Sequence, residues 1–571
     1  MKLTFSGLIQ DNGYFSKKGN RTGGYSTKYI QEGNHQSYNG QLHFNASFSH
    51  TISPSTFYEI RVSHLREHSE TYNTKYGKSP LPDRNQVVNS VGYVPLEAAG
   101  RPNVGYRVYG DIAYVNIGSG NYSDIRPQKT DISFAITSQI NSNHQIKAGV
   151  GVNLNDYHMS TRGVASGNAP AMFNDFNTIA TDNLEALSGF EHHVYPSETF
   201  LYAQDRIEYG SLVVNAGVRM DILNANANSV NMFKPRPGPS TADDDPQFRT
   251  EQPSIKTAVA PRIGISHPIT DRAALHYSYG IFNQRPSLYS LFAGLVQSYP
   301  FERNHGNPDL PYQKSTNYEM GLQAEIYEGY YIDVTGYFRD VNSLPLNWII
   351  QPESPFIGGS QREMAILLPT FASDARGFEV SFRRQMANRF SIRANYTISF
   401  ATNLTTIGRQ PTLVSYFDLL EGTPKPPGFV RRATGTDRRH RLVTNALVQL
   451  PYGISASFLT KAQSGNEFRT KDETAVDPLQ LLATSRRAPW TYTTDMYAQK
   501  VFNMGGTNLG FFTQINNIFN RTNIYSIGNS PASDRFIRRG DPVGFIGGPI
   551  GGIGTQASWP RDIWVGFNLS W

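Results

Sequence analysis

The chain has no cysteine, which excludes a disulfide framework, a thiolate metal site and a cysteine nucleophile. Charge is sparse and nearly balanced. Charged residues make up 17% of the 571 positions and the formal net charge is +6, too little at this length to suggest a nucleic-acid partner. No window approaches the roughly 18 consecutive apolar residues of a transmembrane helix. The start, Met1-Lys2-Leu3-Thr4-Phe5-Ser6-Gly7, lacks the apolar core of a signal peptide. If the protein crosses a membrane, the natural product is then expected to begin upstream of Met1 or to have been processed. Catalytic signatures are also missing: there is no Gly-x-Ser-x-Gly elbow, no His-Glu-x-x-His and no complete P-loop. The chain therefore reads as a non-enzyme without a cofactor.

What is present is aromatic and turn-rich, with 33 Phe, 32 Tyr, 50 Gly and 34 Pro. The strongest signal is alternation. In Ile146-Lys147-Ala148-Gly149-Val150-Gly151-Val152-Asn153-Leu154 every second residue is apolar, and the pattern recurs at 42–48, 212–222, 378–382, 390–400 and 563–571. A period of two means a strand with one apolar and one polar face. Many such segments run about 9–13 residues, enough to cross a bilayer when tilted, whereas strands of soluble domains usually have about 5–6. Very short joints (Ser53-Pro54-Ser55, Asn141-Ser142-Asn143, Gly210, Pro268-Ile269-Thr270, Gly329, Asn388, Pro451-Tyr452, Gly505-Gly506) alternate with long polar stretches. This asymmetry predicts an all-β fold, a transmembrane antiparallel up-and-down β-barrel with short periplasmic turns and long extracellular loops. The count is about 18 strands, with 106–117 as a further candidate. A soluble propeller or set of sandwiches is the competing fold, but its loops are shorter and more even.

Several segments resemble those of TonB-dependent receptors of the Gram-negative outer membrane. They are Pro261-Arg262-Ile263-Gly264-Ile265-Ser266 with Tyr277-Ser278-Tyr279-Gly280, Gly306-Asn307-Pro308-Asp309-Leu310 with Ser315 to Leu322, Arg376-Gly377-Phe378-Glu379, Asp437-Arg438-Arg439-His440, Asn516-Asn517-Ile518-Phe519-Asn520 and Trp559-Pro560-Arg561. Tyr312-Gln313-Lys314 stands where Pro-Glu is usual in that family. The resemblance covers about 200–571 by motif and the earlier part by pattern. It implies a 22-strand barrel with a plug and a TonB box ahead of it. Nothing in 1–571 resembles either, so the chain is expected to be the barrel domain without the plug and first strands. TonB is an expected partner only if a plug and TonB box exist upstream.

Candidate functional residues fall into four groups. Asn215, Arg219, Asp221, Glu379, Arg383, Arg393 and Asn395 alternate with apolar residues and are expected to line a polar lumen. The aromatic cluster Tyr289, Phe292, Tyr299 and Phe301 is a candidate ligand contact, because flat rings give contact area at low entropic cost; packing of the loop on its neighbours explains it equally well. Trp571 resembles the terminal aromatic that the barrel-assembly machinery recognises. The pairs Arg431-Arg432, Arg438-Arg439, Arg486-Arg487 and Arg538-Arg539 suit lipopolysaccharide phosphates, with solvated loop charge as the blander reading. His192-His193 beside Glu191 and Asp243-Asp244-Asp245 are weak metal candidates, and solvated loops account for both, so no metal is expected. Three functions stay open: a receptor barrel for uptake of a large scarce nutrient (siderophore, vitamin, glycan or peptide), a passive porin-like channel, and a secreted β-rich hydrolase or adhesin. The first two place the protein in the cell outer membrane among lipid and lipopolysaccharide.

Overall fold

The structure is a computed structural model that describes residues 1–15, 35–73, 108–109, 112–113, 122–164, 187–227, 229–235, 248–292, 304–351, 364–406, 414–415, 429–434, 437–469, 485–526, 556–557 and 560–570. The alternating segments form strands β1 (Lys2–Phe15), β2 (His35–Ser53), β3 (Thr56–Asn73), β4 (Tyr122–Gln139), β5 (His144–Val164), β6 (Leu187–Val194), β7 (Ser197–Tyr209), β8 (Leu212–Asn224), β9 (Lys256–Thr270) and β10 (Ala273–Gln284). They continue as β11 (Gln313–Tyr327), β12 (Tyr330–Gln351), β13 (Met364–Ala387), β14 (Phe390–Thr406), β15 (His440–Leu450), β16 (Ile454–Gln463), β17 (Thr491–Met504), β18 (Thr507–Asn516) and β19 (Asp562–Ser570). These nineteen strands run antiparallel, up and down. β6 and β7 pair with successive halves of β5 and share one crossing, broken at Tyr195-Pro196. β1 pairs with β2 and β19 with β18, and β1 and β19 are not paired with each other among the described residues.

Tight turns close one end of the sheet. Asn388 and Arg389 take φ of 50° and 67°, and Gly505 and Gly506 take 64° and 102°. Such positive values let two-residue hairpins follow the strand twist. Seven of the eight expected joints fall at these turns. The eighth is shifted: Pro268–Thr270 belongs to β9, with an irregular register between Pro268 and Thr270, and the chain turns at Asp271-Arg272. Proline fits a bulge, where no ladder N–H is needed.

At the other end the strands outrun their apolar alternation. β12 has 22 residues and β13 has 24, because backbone pairing continues past the region where side chains must alternate. The register there slips between Val341 and Leu344, where Ser343 adopts a φ of 60°. Within the candidate strand at 106–117 the described residues, Val108–Tyr109 and Ile112–Ala113, pair with each other outside the main sheet.

Register fixes which residues share a face. Asn215 stands opposite Gly264, then Ser278, Glu319, Tyr337, Gly377 and Ser399 on successive strands. Asn215, Arg219, Asp221, Glu379, Arg383, Arg393 and Asn395 therefore lie on one face, and the opposite face carries Val218, Met220, Ile263, Tyr318, Phe378 and Tyr396. Gly377 allows close packing on the polar face, since a Cβ there would stand 3.0 Å from the Tyr337 hydroxyl and press on the carbonyl of Ile398.

Candidate functional site

A buried apolar cluster sits at the loop end of the polar face. Asn153 of β5 faces Glu198 of β7, which faces Leu223 of β8, two residues beyond Asp221. Tyr157 and Met159 continue the same face of β5. Onto this wall fold the two described parts of the connection between β10 and β11, 285–292 and 304–312. Its one-turn helix α1 (Leu288–Phe292) buries Leu291 and Phe292 completely, with Leu310 and Tyr312 beside them. Phe292 meets Tyr157 at 6.4 Å between ring centroids. Full burial of a Leu and a Phe side chain contributes roughly 1.5–3 kcal/mol each, so the segment has an apolar reason to turn inward.

Polar contacts hold it there. Ser287 caps the turn, its Oγ accepting the Ser290 N–H at 3.0 Å. Asn307 N–H donates to the Ser290 carbonyl at 2.9 Å, and Asn307 Nδ2 donates to the Leu367 carbonyl on β13 at 3.0 Å. One connection thus touches both β5 and β13, so the sheet curves around it. The Tyr312 hydroxyl donates to Glu198 Oε1 at 2.7 Å; Asn153 Nδ2 and Arg285 Nε lie 3.3 and 3.8 Å from Oε2. Lys256 Nζ lies 2.6 Å from Asp309 Oδ1. Burial, then the Glu198 hydrogen bond and charge, raise the Tyr312 pKa. Burial, with Tyr289 second, pushes Tyr157 up to about 12. Both phenols are therefore neutral donors at any ordinary pH.

Of the four aromatic residues singled out from sequence, Phe292 is wholly buried, whereas Tyr289 on the same turn is 52% exposed. Tyr299 and Phe301 lie outside the described residues, as do Trp571, Arg538-Arg539 and Asp243–Asp245. The polar-face residues form two separate groups. Arg219 Nη2 is 2.7 Å from Asp221 Oδ1, and its guanidinium lies 4.2 Å over the Phe200 ring. Four strands intervene before Glu379, Arg383, Arg393 and Asn395. There Asn395 accepts from Ser381 at 2.9 Å, and Arg383 lies over Tyr331 while standing opposite Arg393.

Arg439 and Arg487 both bind the buried Asp437, at 3.1 and 2.5 Å, and Arg431 binds Asp374. His193 pairs with Asp156 at 2.5 Å. Among the described residues no group of three His, Cys, Asp or Glu side chains could hold a metal ion. Sequence reasoning missed Glu198, Arg285 and the Lys256–Asp309 pair. The one signal available was Tyr312, which departs from the family's usual Pro-Glu at that point.

The sheet topology and the inward segment can be set beside known proteins. The model of the family described as TonB dependent receptor-like, beta-barrel matches residues 4–518. The chain belongs to this family. No curated protein matches it. Among solved structures it is similar to the copper transporter OprC, at 12% identity over 93% of this chain and 66% of that one, with a TM-score of 0.51. It is also similar to the outer membrane transporter YddB from Escherichia coli, at 10% identity over 99% and 66%, with a TM-score of 0.56. The FrpB iron transporter from Neisseria meningitidis gives 10% identity over 92% and 66%, at 0.50. At these identities the likeness is one of fold, and the chain spans just under two thirds of each. Within this family the tight turns are periplasmic, the long connections extracellular and the polar face luminal. Residues 285–292 and 304–312 therefore fold into the extracellular mouth of the TonB-dependent receptor barrel.

Proposed function

We propose that this TonB-dependent receptor barrel imports a large, scarce nutrient across the outer membrane, and that ligand is captured at the mouth beside Tyr289. The observation that carries the reading is the inward segment. Its apolar side is buried on the wall, yet it leaves one aromatic ring half exposed above a polar, ion-paired wall. A rigid ring on an anchored turn offers contact area without an ordering cost. Transporters of copper and iron among the similar folds support metal-bearing nutrients within the range of ligands, which also includes vitamins, glycans and peptides. TonB would drive uptake through a plug and TonB box upstream. Trp571 would serve recognition by the assembly machinery, and lipopolysaccharide would surround the loops.

The test is competitive growth of cells carrying the intact gene, a deletion or Tyr289→Ala, limited in turn for iron, cobalamin, glycans and peptides. The reading expects one limitation to penalise the deletion and Tyr289→Ala alike, and TonB loss to abolish the difference. Unimpaired growth of the deletion under every limitation, or TonB-independent uptake with open-channel conductance in planar bilayers, would favour a passive channel instead.

A further inference from the structure

A second feature lies on the opposite, membrane-facing side of the wall, independent of the mouth. Register aligns Tyr279, Tyr318, Phe338, Arg376 and Phe400 in one continuous row across β10 to β14. An arginine thus interrupts an aromatic row on the apolar face. The next row towards the periplasm contains Gly336, which has no side chain, and Phe378 leans across it, its ring 2.9 Å from where a Cβ would stand. A groove of about 640 Å³ opens between the two rows, with apolar walls and Arg376 at its rim.

Height places the rim. Arg376 stands eleven residues above the β13 terminus at Ala387, which for a tilted strand is about 25 Å, the height of the apolar band of such barrels. Arg376 is therefore level with the headgroups of the outer leaflet. It is exposed, and no hydrogen bond or ion pair engages it among the described residues. The carboxylates just above are occupied: Asp374 by Thr402 and Arg431, Asp340 by Asn342 at 2.5 Å. An unpaired guanidinium facing lipid is costly unless a phosphate meets it.

The geometry points to an ordered site for an anionic membrane lipid, with one acyl chain in the groove beside Gly336 and its headgroup phosphate on Arg376. Flat aromatic rings flank the chain, and the guanidinium fork selects phosphate that carries net negative charge. This site rests on the membrane-barrel fold and not on the nutrient reading.

The experiment is native mass spectrometry of the delipidated protein in detergent, with phosphatidylglycerol or phosphatidylcholine of identical acyl chains added. The wild type is expected to retain one phosphatidylglycerol with about tenfold preference, the scale of one charge-assisted hydrogen-bond set. Arg376→Gln should bring the preference close to one while weak binding of both lipids persists, Arg376→Lys should keep part of it, and Met320→Trp, which fills the groove, should lose both lipids. Heat-dependent gel mobility confirms folding of each variant, and Arg376→Lys decides if Arg376→Gln does not fold. Equal retention of both lipids by the wild type, an unchanged preference in Arg376→Gln, or a dimer that excludes lipid would overturn the proposal. Tyr289→Ala should leave lipid retention unchanged, so failure at the mouth and failure at the groove are read separately.

Discussion

The hydrogen bond from Tyr312 to Glu198 ties the mouth segment to the wall across β7. Tyr312→Phe removes one hydroxyl and little volume. It deletes a 2.7 Å bond from a buried phenol to a carboxylate. Bonds of this kind, with one charged partner, contribute about 1.5–3 kcal/mol, and Glu198 keeps Asn153 and Arg285 as partners, so the lower half of that range is expected. Local opening of the segment should then become about tenfold more frequent, with each ~1.4 kcal/mol worth a factor of ten. Amide hydrogen exchange reads this directly at Leu291, whose N–H donates to the Ser287 carbonyl, and at Asn307, whose N–H donates to Ser290. Protection at both should fall about tenfold while amides in β13 and β14 are unchanged. Glu198→Gln should give a smaller loss at the same two positions. Unchanged protection at Leu291 and Asn307 in both variants would refute the idea that this bond anchors the segment.

Further expectations concern the wall and its clasps. Asp437→Ala leaves Arg439 and Arg487 without their shared carboxylate and removes the acceptor of the Ala401 N–H; both guanidinium groups keep access to water, so a loss of about 1.5–3 kcal/mol is expected, the scale of hydrogen bonds to a charged group, seen as a lower midpoint in heat-dependent gel mobility, with Asp437→Asn less affected. Gly377→Ala should also destabilise, by about 1–3 kcal/mol of overpacking, because its methyl would press on Ile398; truncating Tyr337 should not rescue it, since the clash is with backbone. For pH, the Tyr157 phenol has a folded pKa raised from 10.0 to about 12, so its contribution is complete below pH 10 and is lost as pH rises from 10 to about 12. An absorbance titration of Tyr157→Phe should show one late-ionising tyrosine fewer than the wild type, with Tyr312 still ionising late.

How far these features could be read from the residues depends on their range. Alternation at 212–222 and 390–400 is local, dictated by a wall with lipid on one side, and it marks strands and faces without further information. Turn chemistry is local too, so Asn388 and Gly505-Gly506 announce their hairpins. The turn lies past Pro268–Thr270, at Asp271-Arg272, because a proline at a bulge looks the same in sequence as a proline at a turn. β12 and β13 run well past the roughly 9–13 residues that alternation marks in many segments, since backbone pairing above the bilayer imposes no apolar period. The anchored mouth was invisible for another reason. Glu198 and Tyr312 are separated by 114 residues, and α1 is a single turn, too short to show a helical period. Tyr289 and Phe292 look alike in sequence, and only the wall beneath them makes one a packing residue and the other an exposed ring.

A membrane-spanning wall must have a polar inner face and an apolar outer face, and the absence of cysteine makes this directly testable. Single cysteines placed at each position from Val213 to Ile222 would be probed in native outer membranes with a water-soluble maleimide, and with a fluorophore quenched by brominated lipid. Asn215, Gly217, Arg219 and Asp221 should react with maleimide and resist quenching, and Val214, Ala216, Val218 and Met220 should do the reverse. Uniform reactivity along the segment, with no lipid quenching at any position, would contradict such a wall.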